Sequence, residues 1–227
     1  AQVDPTTDLS TSAVTINMMA ASLPMQMASP QFPVMAVAPD YMKQSLIFPY
    51  QQGLLFVAAL RQAGWDWARI RGVYADPPQS TEQILHPKRY IERDLPSRVS
   101  LEGALAGWEK PWEGAMGEFH WRQVLLRGLP QADAVTGAAG WDGDDAVLAR
   151  KGGQAVFAAL TTWDSEAEAK DFVQAWQAAL SKAPVKAPVV QRIERKGAEV
   201  AVVSARDPGL VTQTLAEVWA KGKVTRR

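Results

Sequence analysis

Within Ser80–Tyr90, STEQILHPKRY, Glu82 and His86 stand four residues apart, directly ahead of Pro87. On a helix that spacing puts both side chains on one face. The pair then admits two readings: a carboxylate–imidazole contact that locks a helix end, or an imidazole tuned by its carboxylate for work at a neighbouring centre. Ser80 as N-cap and Gln83 at the third helical position form a capping box, and Pro87 limits the helix to about two turns. The sequence has one other histidine, His120, so no histidine pair at i, i+4 and no H-E-x-x-H exists in it. The absence of cysteine removes disulfides, thiolate metal sites and thiol nucleophiles, and there is no G-x-S-x-G.

Three aspartates, 142, 144 and 145, crowd the stretch GWDGDDA. A calcium loop of the EF-hand kind needs ligands at its fifth and twelfth positions. Counted from Asp142, those places hold Ala146 and Gly153, so the expectation is a turn at a helix–strand junction with Trp141 packed beneath it. Met18, Met19, Met25, Met27, Met35 and Met42 are the most unusual compositional feature. Thioethers bind Cu(I), and Met25-x-Met27 is a spacing used for it, but methionine is also an adaptable filler of cores and interaction surfaces. Contact with core or partner is the favoured reading, with a copper-binding protein as the lesser alternative. Trp108 and Trp112 in GWEKPWEG are the one place where sugar stacking is tempting.

These residues divide among three expected segments. Residues 1–39 read as a Met- and Pro-rich arm, in which a helix ends at Pro24 and Ser29–Pro39 is a linker. Residues 40–130 read as a mainly helical lobe carrying the STEQILHP block. It has a helix from Asp40, a second from about Tyr50 to Ala63, a short one around Trp67–Ile70, and another over Gly117–Leu129 that carries His120. Residues 131–227 read as hairpin, helix, hairpin, helix. Strands flank Lys151-Gly152-Gly153 and turn again at Lys196-Gly197, and apolar stripes on the helices after Asp164-Ser165 and Asp207-Pro208 cover them. The fold class is α+β, a mainly helical N-terminal half followed by an antiparallel sheet of two hairpins with packed helices.

The 24 basic and 24 acidic residues balance, so no long-range field draws the chain to nucleic acid or anionic lipid. No window reaches the apolar length of a membrane helix. The nearest, Leu46–Leu60, is broken by Pro49 and Gly53. The opening Ala1-Gln2-Val3-Asp4-Pro5 reads like residues left after signal-peptide cleavage, which makes the expected location extracytoplasmic: periplasm, cell envelope or secreted.

Three stretches in this order, FPYQQGLLFVAALRQAGWDW with its sequel YADPPQSTEQILHPKRY, then GWDGDDAVLA, then TTWDSEAEAKDFVQAW, resemble the C-terminal half of bacterial extracytoplasmic zinc-metallopeptidase-like proteins of the gluzincin type. The likeness runs from about Phe48 to Trp176, and PPQSTEQILHP is its most specific part. In that family the zinc ligands and general base lie upstream, on an H-E-x-x-H helix and a later acidic helix. This chain lacks both motifs and has no carboxylate from Leu9 to Pro39. The resemblance therefore implies a non-catalytic chain without a cofactor of its own, which completes a cleft or docks on a protein partner in the cell envelope. Zinc, a peptide substrate and catalytic roles for Glu82 and His86, the histidine stabilising an oxyanion beside the metal, are implied only where the upstream motif is supplied. The alternative is an accessory subunit of an envelope assembly that uses its N-terminal arm as the contact.

Overall fold

Proline should stop a helix because it removes one backbone donor and crowds the preceding turn, yet two of the chain's helices run through one. The computed structural model describes Asp8 and residues 11–29, 31–182 and 189–227, and these divide into two compact units, Ala1–Asp94 and Leu95–Arg227. In the first, α1 spans Ala13–Met27 with Pro24 inside it, so the expected stop at Pro24 is corrected. Pro24 cannot donate to the carbonyl of Ala20, four residues back. Gln51 Nε2, from a neighbouring helix, donates to that oxygen instead, at 2.9 Å. The expected linker holds a one-turn helix, α2, Pro33–Val37, with proline at its start, where no donor is needed.

The helix α3 spans Asp40–Gln62 without interruption, with Pro39 at the N-cap and Pro49 inside. It replaces the two helices expected there. Two stripes on opposite sides hold it. Ile47, Gln51, Leu54 and Ala58 lie at 4–3–4 spacing on the side from which Gln51 reaches α1, and Ile47 and Ala58 are buried. On the other side Phe56 and Leu60 pack with Trp65 and Ile70. That cluster is roofed by α4 (Trp67–Arg71, capped by Asp66), α5 (Thr81–Leu85) and α6 (Pro87–Ile91). The Tyr90 ring meets Phe56 edge-on at 5.2 Å.

The second unit is built on a five-stranded antiparallel sheet in the order β2-β3-β4-β6-β5. Its strands are β2 (Glu109–Gly114), β3 (Trp141–Lys151), β4 (Gln154–Trp163), β5 (Val190–Lys196) and β6 (Glu199–Ala205). A two-stranded ribbon pairs β1 (Arg98–Ser100) with β7 (Lys223–Thr225). The central strands read almost continuously apolar because both of their faces are buried, as the pleat alternates side chains between two cores. Val156, Ala158 and Leu160 of β4 join Ala201 and Val203 of β6 against α10 (Pro208–Lys221), through Leu210, Val211, Leu215 and Val218. Ala159, Trp163, Val200 and Val202 face the opposite core. It is filled by α7 (Gly117–Leu125), α8 (Gln131–Ala138) and α9 (Glu166–Lys182), with Trp121, Phe172 and Trp176 stacked edge to face.

Antiparallel sheet and packed helices make the fold α+β, with the two hairpins and following helices where the sequence places them. β2 and α7, from the stretch read as helical lobe, belong to this sheet-bearing unit. Among the described residues no helix is long and apolar enough to cross a membrane.

Candidate functional sites

The Ser80–Tyr90 block folds as two one-turn helices in series. Ser80 Oγ accepts the Gln83 N–H at 3.2 Å, as the capping reading requires, but Gln83 reaches one residue further back than a capping box. Its Oε1 accepts from Gln79 N at 2.7 Å, and its Nε2 donates to the Asp94 carbonyl at 2.6 Å. Fully buried, it brackets the entry and exit of the block. Glu82 is buried as well, its carboxylate 3.3 Å from Arg89 Nε, and Arg89 also grips Asp94 at 2.6 Å. His86 is the half-buried hinge between α5 and α6. Its N–H donates to the Glu82 carbonyl at 2.7 Å and its own carbonyl accepts from Arg89 N at 2.9 Å. Pro87 does not merely end α5. It supplies the first position of α6.

The three aspartates of GWDGDDA lie in β3 rather than in a junction turn, which corrects that expectation. Strand alternation sends the neighbours Asp144 and Asp145 to opposite sides of the sheet, the pairing with β4 shifts register between Trp141 and Gly143, and each aspartate clamps a different stretch of backbone. Asp142 accepts Ser97 N at 3.1 Å and Ser97 Oγ at 2.6 Å, with Arg226 at 3.6 Å. Asp144 accepts Met116 N at 2.8 Å, Gly117 N at 2.9 Å and Trp141 Nε1 at 3.0 Å, fixing the start of α7. Asp145 accepts Leu101 N at 2.7 Å. Burial pushes the Asp144 carboxyl up to about 6, against the downward pull of its backbone and indole donors. Gly143 allows the close crossing, since a Cβ there would sit 2.4 Å from the Ser97 carbonyl.

His120 lies on α7, as expected, with Nδ1 2.5 Å from the Met116 carbonyl. Its neighbour Glu118 is fully buried and paired with Arg122. Met25 is exposed and Met27 half-buried, and two residues along a helix means about 200° around it, so their sulfurs point to opposite sides of α1. Trp108 packs on the sheet core, whereas Trp112 is partly exposed on the edge strand β2. A cleft of about 380 Å³ opens between the 100–103 loop, β2 and β3, with Glu102, Lys110, Glu113 and Asp145 in its wall. Among the described residues no three His, Cys, Asp or Glu side chains converge as a metal-holding group.

What sequence reasoning missed is a surface. Met42, Leu46, Pro49 and Gly53 continue, at the same 4–3–4 spacing, the α3 stripe that Phe56 and Leu60 carry into the core. Met42 and Leu46 are 54% and 52% exposed, with Tyr50 beside them at 69%. The signal was in the sequence as one uninterrupted stripe from 42 to 60, hidden by reading Pro49 as a helix boundary.

A family described as a domain of unknown function (DUF8575) matches residues 104–215, just under half of the chain, from the loop ahead of β2 into α10. No curated protein matches the chain, and no solved structure does.

Proposed function

We propose that this chain is a non-catalytic, extracytoplasmic docking portion of a gluzincin-like metallopeptidase-family protein, and that the uncovered half of the α3 stripe seats a helical protein partner in the cell envelope. The observation that carries this reading is the continuity of the stripe. Its second half, Phe56 and Leu60, is core, and its first half keeps the same spacing and leaves two large apolar side chains, Met42 and Leu46, exposed. The spacing suits a helix, because apolar residues at alternating intervals of four and three form the seam along which helices pack.

The metallopeptidase half of the proposal is supported by the order of FPYQQGLLF, PPQSTEQILHP and GWDGDDA. With no H-E-x-x-H in the sequence, hydrolysis belongs to the partner. Glu82 and His86 enter the chemistry only if that partner brings zinc to them. The test places a photo-crosslinking amino acid at Met42 and at Leu46 in the organism that makes the protein. The expected product joins these positions to a helix of a polypeptide segment bearing H-E-x-x-H, with zinc in the purified complex. Zinc-dependent peptidase activity in the isolated chain, or no crosslink from either position, would overturn the reading. A crosslinked partner without H-E-x-x-H would instead favour an accessory envelope subunit.

A further inference from the structure

We propose that β5, one edge of the five-stranded sheet, pairs antiparallel with β5 of a second copy of this chain, about a twofold axis at Ile193. The strand lies in the second unit, so the inference is independent of docking through α3. The two edges of the sheet differ. β2 carries Pro111 and a register shift against β3, two features that blunt an edge. β5 has neither: its 7 residues pair with β6 without a register break, from Val190 with Ala205 to Lys196 with Glu199.

The turn after β5 fixes which of its backbone groups face outward. Gly197 and Ala198 form a two-residue turn, with Gly197 at φ 61°, so Lys196 and Glu199 flank it as a hydrogen-bonded pair. Counting back by twos, Glu194, Arg192 and Val190 also bond β6, while the N–H and C=O of Arg195, Ile193 and Gln191 point away from it along the outer edge. A second β5 running antiparallel meets those three residues with its own three. Centred on Ile193, the pair has Ile193 bonding its own copy and Gln191 bonding the second copy's Arg195, about six main-chain hydrogen bonds across the seam.

Charge selects both the occupant and the register. Val190, Arg192, Glu194 and Lys196 share the α10 face, where Val190 packs on the core and Lys196 Nζ lies 4.2 Å over the Trp219 ring. Arg192 and Glu194 are exposed, and Arg192 has no ion pair among the described residues. Glu194 lies 3.9 Å from Lys196 Nζ, a surface contact of little worth. In the register centred on Ile193, Arg192 stands opposite the second copy's Glu194 and Glu194 opposite its Arg192, so one strand supplies both halves of two opposite-charge pairs. Lys196 stands opposite Val190 and Arg195 opposite Gln191, so no like charges meet. The neighbouring registers keep the backbone bonding but set Arg192 on Arg192 or Glu194 on Glu194, which is destabilising. Charges on an edge strand ordinarily turn a second strand away. Here they do so in the neighbouring registers and attract in the central one, and a charge order that complements itself on reversal points to a second copy as the occupant.

Sedimentation equilibrium of the full chain between about 5 and about 500 μM tests this. The wild type is expected to show a monomer–dimer equilibrium. Arg192→Glu sets glutamate against Glu194 and Glu194→Arg sets arginine against Arg192, and each is expected to weaken the dimer about tenfold or more. The double variant Arg192→Glu/Glu194→Arg restores both pairs and is expected to return to within about threefold of the wild type. Gln191→Pro removes an outward N–H and no bond to β6, and is expected to abolish the dimer while circular dichroism stays that of the folded chain. A wild type that stays monomeric throughout, growth beyond the dimer, a dimer indifferent to the single reversals, a double variant that fails to recover, or a folded Gln191→Pro that still dimerises each overturns the proposal. Should the proline unfold the chain, the three charge variants decide alone. The crosslinks from Met42 and Leu46 are read separately, so a monomeric wild type with those crosslinks intact would leave the α3 docking reading standing.

Discussion

The pairing of Pro24 with Gln51 can be weighed by a double-mutant cycle. Proline at position 24 leaves the carbonyl of Ala20, a residue 3% exposed, without its helical donor, and the Gln51 side-chain amide takes that place at 2.9 Å. Gln51→Ala in the natural background strips the carbonyl of this donor. A buried polar group left without a partner costs about 1–3 kcal/mol, so a loss of about 2 kcal/mol is expected. In a Pro24→Ala background the residue-24 N–H is present and bonds the carbonyl along the helix. Gln51→Ala should then cost only its packing, about 0.5 kcal/mol, which gives a coupling energy of about 1.5 kcal/mol. The assay is urea unfolding of the four proteins by far-ultraviolet circular dichroism, with m-values compared to confirm a common unfolded state. Equal costs of Gln51→Ala in the two backgrounds, within about 0.3 kcal/mol, would refute the reasoning, because the glutamine would then be filling space rather than replacing a donor.

Asp144 holds its proton up to about 6 when folded, against an ordinary value of 3.8. The folded state therefore binds more protons between those values, and Asp144's contribution is fully present below about pH 4 and lost as pH rises through 6. The stability difference between wild type and Asp144→Asn should shift against the wild type by about 3 kcal/mol from pH 4 to pH 7 in urea titrations, and a pH-independent difference would contradict this. Gly128→Ala builds a Cβ 2.1 Å from the Ala179 carbonyl and should cost about 2–4 kcal/mol through forced separation of its segment from α9. Gly53→Ala meets nothing within 4 Å and should raise thermal stability by about 1 kcal/mol through helix propensity alone. Gln83→Ala removes both ends of the bracket across the STEQILHP block and should cost about 2–4 kcal/mol, with faster hydrogen exchange at Gln79, read by amide exchange.

Legibility followed the physical kind of signal. The hairpins at Lys151-Gly152-Gly153 and Lys196-Gly197, the cap at Asp207-Pro208 and the stripe of α9 were readable because turn chemistry and periodicity are local. β2 was not. Its sequence EKPWEG has no apolar alternation, as befits an edge strand with a proline and a register shift against β3, and its place is set by partners thirty or more residues away. Pro24 and Pro49 misled for a related reason: the rule that proline ends helices assumes that the orphaned carbonyl has no other donor, and for Pro24 tertiary structure supplies one. Ser80 capping was legible. The partnership of Glu82 with Arg89 rests on a second helix that Pro87 begins rather than forbids.

The aspartate cluster shows why proximity in sequence is a poor guide to a site. On a loop, three carboxylates within four residues converge and can share an ion. On a strand the same residues diverge, and here each accepts hydrogen bonds from a different segment: Ser97 ahead of β1, Met116 and Gly117 at the start of α7, and Leu101 after β1. The strand expected to be a junction turn is the post to which both flanks of β1 and the start of α7 are tied. The chain's densest polar chemistry is thereby spent on its own fold. Its least charged segment, residues 9–39, together with the first half of α3, carries most of the large apolar side chains that are exposed among the described residues. Function is to be sought on those helices, because an apolar stripe with helical seam spacing has its own reason to find a partner, whereas a carboxylate already holding backbone donors has none.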